Sequence, residues 1–222
     1  AFTSIGVAHI AAQRDKQAIL PLESALRINP DDGLAYLNLG TAYSNLKQHK
    51  KAVDAFLELI RIRYDDPKAY YLLAIEYSKL DLYDDAINRF KDAIRLKPNY
   101  IEAHFQLSQV YYSTGDLNAA LKAFTKVTEI DPKNIEGHYR RGDVFQRLMD
   151  HESAVKAFKK ALSINPNHKL ANYHLGISYI KLERPEDALK SYQKTILLDS
   201  DFLEAHYQLG ATFAYLKKYK KS

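Results

Sequence analysis

One interval governs this chain. Ala52 with Phe56, Ala86 with Phe90, Ala120 with Phe124, Ala154 with Phe158 and Ala188 with Tyr192 follow one another at 34 residues, and Ala18 with Leu22 extends the series upstream. Pro98, Pro132 and Pro166 recur at the same interval, with Pro30 two periods before Pro98. Gly6, Gly40, Ala74, Ser108, Gly142, Gly176 and Gly210 make a third series that is always small. No insertion or deletion interrupts any of them. A period of this length implies one supersecondary unit per repeat, unable to bury its apolar stripe alone and stacked on its neighbours.

With repeats at 33–66, 67–100, 101–134, 135–168 and 169–202, and partial ones at 1–32 and 203–222, each repeat holds two helical patterns. Tyr36, Leu39, Gly40 and Tyr43 show the spacing in the first; Ala86, Ile87, Phe90, Ala93, Ile94 and Leu96 show it in the second. Pro185 with Glu186 and Asp187 suits a helix start, where a missing N–H is harmless and negative charge meets the helix dipole. Small residues at repeat position 8 and alanine at position 20 let two helix backbones approach, and the aromatic at position 24 fills the adjacent gap. The expectation is an all-α chain, one repeat domain over residues 1–222.

Composition narrows the function classes. No apolar run approaches the roughly 18–20 residues of a membrane-spanning helix, so direct membrane insertion is not expected. The chain has no cysteine, which removes disulfides and thiolate metal sites and suits cytoplasm and periplasm alike, with the cytoplasm slightly favoured. The formal charge of +5 is local: Lys217, Lys218, Lys220 and Lys221 account for four of the 32 basic residues, leaving the rest within one charge of neutral. A nucleic-acid surface needs a basic face spread along the structure, so no nucleic-acid partner is expected. There is no glycine-rich phosphate loop, nucleophile elbow or metal motif; His151 and Glu152 begin like a zinc helix without the second histidine. The reading is a non-enzyme with no cofactor and no metal.

The pattern resembles the tetratricopeptide repeat: an aromatic at position 4, Leu-Gly at 7–8, Tyr at 11, Ala at 20, Phe at 24, Ala at 27 and Pro at 32. Repeat 67–100 carries it as Tyr70, Leu73, Tyr77, Ala86, Phe90, Ala93 and Pro98, with Ala74 in place of glycine. The resemblance implies a right-handed α-α superhelix. His104, His138 and His206 depart from it at position 4, as does Asn172; Ser200 replaces the proline, and Arg141 stands where leucine is usual. These histidines read as tyrosine replacements in a packing slot rather than as a metal site. Arg141-Gly142-Asp143, an adhesion signal elsewhere, falls at positions 7 to 9 of a first helix, with Gly142 in the small-residue slot.

The resemblance also implies a partner groove lined by the first helices, through positions 2, 5, 6, 9, 12 and 13. Carried onto this chain, the candidate partner-binding residues are Asn38, Tyr71, Phe105, Gln106, Gln109, Tyr112, Tyr139, Arg140, Asp143, Arg147, Tyr173, His174, Tyr207 and Gln208. Tyrosine offers apolar area with a polar tip, and amides can satisfy the backbone of an extended peptide. Packing between neighbouring first helices is the competing role for those tyrosines. Glu136, Arg140, Asp143 and Arg147 have the spacing of a self-neutralising ladder on one helix face. Two family specialisations lack their residues. The two-carboxylate clamp of co-chaperones needs lysine at position 5, which never occurs, and an asparagine ladder needs asparagine repeatedly at position 6, where only Asn38 stands. The function expected is therefore a scaffold that binds a protein or peptide partner. Alternatives are self-association through repeat ends, and a recruiting segment of a larger enzyme such as a glycosyltransferase.

Overall fold

The computed structural model describes residues 1–219; the side chains of Lys218 and Tyr219 are outside that description. The basic-tail reading thus rests largely on Lys218, Lys220 and Lys221, outside the described side chains. Thirteen helices and no strand occur among the described residues. The first helices of the repeats are α1 (Phe2–Ala11), α3 (Gly33–Asn45), α5 (Pro67–Lys79), α7 (Ile101–Thr114), α9 (Ile135–Arg147), α11 (Lys169–Lys181) and α13 (Leu203–Tyr219). The second helices are α2 (Asp15–Ile28), α4 (His49–Ile62), α6 (Tyr83–Leu96), α8 (Leu117–Ile130), α10 (His151–Ile164) and α12 (Pro185–Leu198). Helix starts from α2 to α13 advance by the interval read in the sequence, so the all-α repeat fold is as expected. No described helix is long and apolar enough to cross a membrane.

The chain forms two compact units, Ala1–Thr114 with α1 to α7 and Gly115–Ser222 with α8 to α13. In the first, Ala18, Leu22, Ala52 and Phe56 belong to one buried cluster and Ala86 and Phe90 to a second. In the second unit Ala154, Phe158, Ala188 and Tyr192 share one cluster. The small-residue series explains how these hairpins close. A Cβ placed on Gly40 would come within 2.5 Å of the Phe56 ring, and one on Gly142 within 2.5 Å of the Phe158 ring. The adhesion-like tripeptide lies inside α9 with its glycine buried under that ring.

The turn between the two helices of a repeat is a second repeated device. Gln13, Lys47, Asp81, Gly115, Met149 and Glu183 all have positive φ, and only one of the six is glycine. At Lys47 the N–H donates to the Ser44 carbonyl at 2.9 Å, and the Gln48 N–H donates to the Tyr43 carbonyl at 2.8 Å. This pair of bonds is a Schellman closure of α3, which satisfies carbonyls left open at the helix end. Met149 and Asp150 close α9 the same way.

Position 4 has a polar task that accounts for its histidines. The Nε2–H of His104 donates to the Pro98 carbonyl at 2.9 Å, that of His138 to Pro132 at 3.0 Å, and that of His206 to Ser200 at 2.8 Å. Tyr70 reaches Tyr64 with its hydroxyl, and Asn172 reaches Pro166 with its amide. Each bond ties a first helix to the carbonyl six residues before it. Tyrosine, histidine and asparagine qualify because each pairs a donor with a compact body.

The close approach gives two glycines opposite expectations. Gly142→Ala drives a methyl into the Phe158 ring and should lower unfolding free energy by about 1–3 kcal/mol. Gly210, inside α13, has nothing within 4 Å of the added Cβ. Gly210→Ala should instead gain about 0.5–1 kcal/mol from helix propensity. Urea denaturation of the two variants measures both signs.

Candidate functional site

Three of the position-5 tyrosines sit in repeated ring clusters. Tyr71 lies 6.0 Å from the Phe90 ring and 5.2 Å from Tyr100. Tyr139 lies 6.0 Å from Phe158 and 4.9 Å from His168, and Tyr173 lies 6.0 Å from Tyr192 and 5.0 Å from Phe202. The third ring always comes from repeat position 34, which the sequence reading overlooked. That position is Asp32, Asp66 or Asn134 elsewhere, where the side chain caps the next first helix. His168 does both: it stacks on Tyr139, and its Nδ1 accepts from the Ala171 N–H at 3.1 Å. The signal was present in the period, as aromatic rings at Tyr100, His168 and Phe202 where other repeats carry helix-cap residues.

Burial divides the candidates. Tyr139 is only 4% exposed, and the Arg140 guanidinium covers its ring at 5.4 Å. Its expected place on an open face is therefore corrected to a packing role. Tyr71 and Tyr173 are half-buried, and burial first, then Glu102 or Glu204 respectively, pushes each phenol above its ordinary range. Tyr207 is 74% exposed. Phe105 and Tyr112 are half-buried on α7.

The polar candidates also separate. Asn38 is already engaged, donating to the Leu34 carbonyl of its own helix at 2.7 Å. Gln106 and Gln109 on α7 are half-buried and hold no side-chain hydrogen bond among the described residues. Arg140 donates Nε–H to Glu136 at 2.7 Å, which is the first link of the expected ladder on α9. Asp143 is half-buried and Arg147 exposed on that helix.

In the second unit, α9 and α11 are joined by a clamp that sequence reasoning also missed. Gln146 donates its amide to the His174 carbonyl at 2.8 Å and to Ser178 Oγ at 2.7 Å. His174 returns an Nδ1–H to Gln146 Oε1 at 2.9 Å. Burial pushes the imidazole below its usual range, Asp143 pulling it up and Arg140 pushing it down, so it is neutral at pH 7. With Nδ1 protonated, Nε2 is left as an acceptor.

Tyr173, Tyr207 and Gln208 come together. With Leu203 and Glu204 they line a cavity of about 280 Å³ on α11 and α13. Gln208 also borders a second cavity of about 380 Å³, with Ile180, Glu183, Pro185, Thr212 and Tyr215. Leu203 is 76% exposed. The groups gathered here are ring faces, an aliphatic side chain, an amide and carboxylates. They supply apolar area with a few hydrogen-bonding groups.

The first unit holds one group that breaks the apolar periodicity. Glu76 occupies a slot taken elsewhere by Ala42, Val110, Val144 or Ser178, and it is 1% exposed. Its carboxylate accepts from Ser44 Oγ at 2.7 Å, His49 Nδ1 at 2.8 Å and Lys79 Nζ at 2.8 Å. Burial alone raises its pKa; the bonds from Lys79, Ser44 and His49 outweigh that and hold it below the ordinary carboxylate range. α3, α4 and α5 are thereby pinned together, with Lys79 held between Glu76 and Ser44.

Comparison with known proteins agrees with this architecture. Tetratricopeptide repeat profiles match residues 9–75 and 81–140, 135–168, and 171–202. No curated protein matches the chain by sequence. Among solved structures, the chain is similar to YrrB, described as a TPR protein with an unusual peptide-binding site, at 21% identity and TM-score 0.73, covering 84% of this chain and 96% of that one. MamA from Desulfovibrio magneticus shares 20% identity at TM-score 0.71, covering 77% and 96%. Pseudomonas aeruginosa pilF shares 15% at TM-score 0.73, covering 93% and 94%. These likenesses are of fold.

Glu76 should give stability a pH signature. A carboxylate depressed in the folded state stabilises above its unfolded pKa of about 4.3, and that contribution is lost as pH falls through the folded value. Glu76→Gln should cost about 1–3 kcal/mol at pH 7. Urea titrations across pH should show wild type and variant converging in acid.

Proposed function

The chain belongs to the tetratricopeptide repeat family, and from that premise we propose that it is a non-enzymatic scaffold whose first helices hold a partner's extended peptide or helix. The observation that carries this is the α11–α13 surface. There Tyr207 and Leu203 stand exposed beside a half-buried, ring-supported Tyr173, with the Gln208 amide between two cavities. Exposed aromatic and aliphatic side chains gathered at a concave spot mark interaction sites, and rigid tyrosines lose little entropy on binding. Gln106 and Gln109 offer a second set of uncommitted amides in the first unit. The peptide-binding description of YrrB supports the class of partner.

Affinity capture with the full chain, followed by Leu203→Ala with Tyr207→Ala, tests the reading. Both side chains are exposed, so stability should stay within roughly 0.5 kcal/mol. Binding of the captured partner should weaken about tenfold or more, the loss expected for anchoring residues. Unchanged affinity excludes this surface. Tyr139→Ala is an unsuitable probe, because removing a buried ring costs stability whatever binds. Sizing at several concentrations separates a partner peptide from a second copy of the chain.

A further inference from the structure

A different face of the second unit carries chemistry that the first-helix surface does not use. His138, Arg141, Phe145, Ser153, Lys156 and Lys160 line a cavity of about 200 Å³ between α9 and α10. These are repeat positions 4, 7, 11, 19, 22 and 26. The same six positions three repeats earlier are Tyr36, Leu39, Tyr43, Lys51, Asp54 and Glu58, and they line a cavity of about 260 Å³. The groove thus recurs at the same positions in two repeats. Its charge is reversed: Lys156 and Lys160 stand where Asp54 and Glu58 do, and Arg141 replaces Leu39.

Arg141 is the costly member. Position 7 is leucine in Leu39, Leu73, Leu107, Leu175 and Leu209. Here a half-buried guanidinium takes that place, donating Nη1–H to Thr128 Oγ1 at 3.1 Å while its buried Nε–H has no partner. Among the described residues no carboxylate lies within 4.0 Å of Arg141, Lys156 or Lys160. On the flanking second helices, Lys126 and Lys190 at the matching positions are paired with Glu129 and Asp187. His138, 5% exposed, donates Nε2–H to Pro132 and leaves a buried Nδ1 unpartnered. The acids nearby act from a distance or are occupied: Glu129 on Arg141, Asp131 on His138, and Asp150, which caps α10 through the Ser153 N–H. Burial lowers the His138 pKa, with Arg141 and Lys160 adding to the effect and the Pro132 carbonyl and Asp131 opposing it.

We propose that the α9–α10 cleft is a binding site for a phosphomonoester. A buried, partnerless guanidinium N–H beside two unpaired ammonium groups is unfavourable in the empty protein and favourable once an oxyanion is present. A dianion answers three clustered cations better than a carboxylate or a diester does. Proton uptake at His138 Nδ1 turns that atom into a further donor toward the ligand.

The test uses isotopically labelled full-length chain titrated with inorganic phosphate, phenyl phosphate, dimethyl phosphate and acetate, reading the Arg141 Nε–H and His138 ring signals by NMR. Phosphate and phenyl phosphate should shift both signals at millimolar concentration, while those of Tyr36 and Tyr43 in the charge-reversed groove stay still. Arg141→Leu restores the residue used in the other repeats, so it should fold with an equal or higher Tm and bind phenyl phosphate about tenfold more weakly or worse. Lys156→Ala with Lys160→Ala, both exposed, should weaken binding similarly with the fold intact. Absence of shifts, full binding by either variant, or equal binding of acetate or dimethyl phosphate would overturn the proposal. So would equal shifts at Lys122, Lys126, Lys190 and Lys194, the mark of diffuse screening.

Discussion

The rest of the structure depends on one close approach, a small residue on a first helix against the large side chain sixteen residues later on its second helix. Gly6 faces Leu22, Gly40 faces Phe56, Gly142 faces Phe158 and Gly176 faces Tyr192, all too near to admit a Cβ without movement. That distance sets the gap between paired helices, and the gap sets where the remaining positions fall. Interiors packed this densely tolerate little change in volume.

Much of this was legible from the period alone. Small residues, alanines, aromatics and prolines at constant spacing fix the helix pairs, and the helix starts fall where the spacing puts them. What could not be read was conformation without a residue signature. Lys47, Asp81, Met149 and Glu183 occupy left-handed turn positions that a sequence search for glycine finds only at Gly115. The candidate site was half legible. Tyr71, Tyr173 and Tyr207 share a register, yet the first two are half-buried against position-34 rings while Tyr207 stands exposed. Glu76 and Gln146 were silent because their importance lies in partners brought from other helices.

The two candidate surfaces use the repeat differently. On the first helices, ring clusters hold tyrosine edges in place beside uncommitted amides, so the partner proposed there would be recognised by shape and hydrogen bonding. Between α9 and α10 the scaffold is unchanged and only its charges are replaced. Arg141 was conspicuous in the sequence as a charge in a leucine slot; its meaning needed the neighbouring lysines and the unmet Nε–H.

The left-handed turns have a consequence for how such an array can adapt. A side chain held at positive φ costs roughly 1 kcal/mol against glycine, and five of the six turns described carry one. Each turn is therefore a dial on the stability of its own hairpin. Selection can tighten or loosen one hairpin by a single residue without redrawing the surfaces that neighbouring hairpins present.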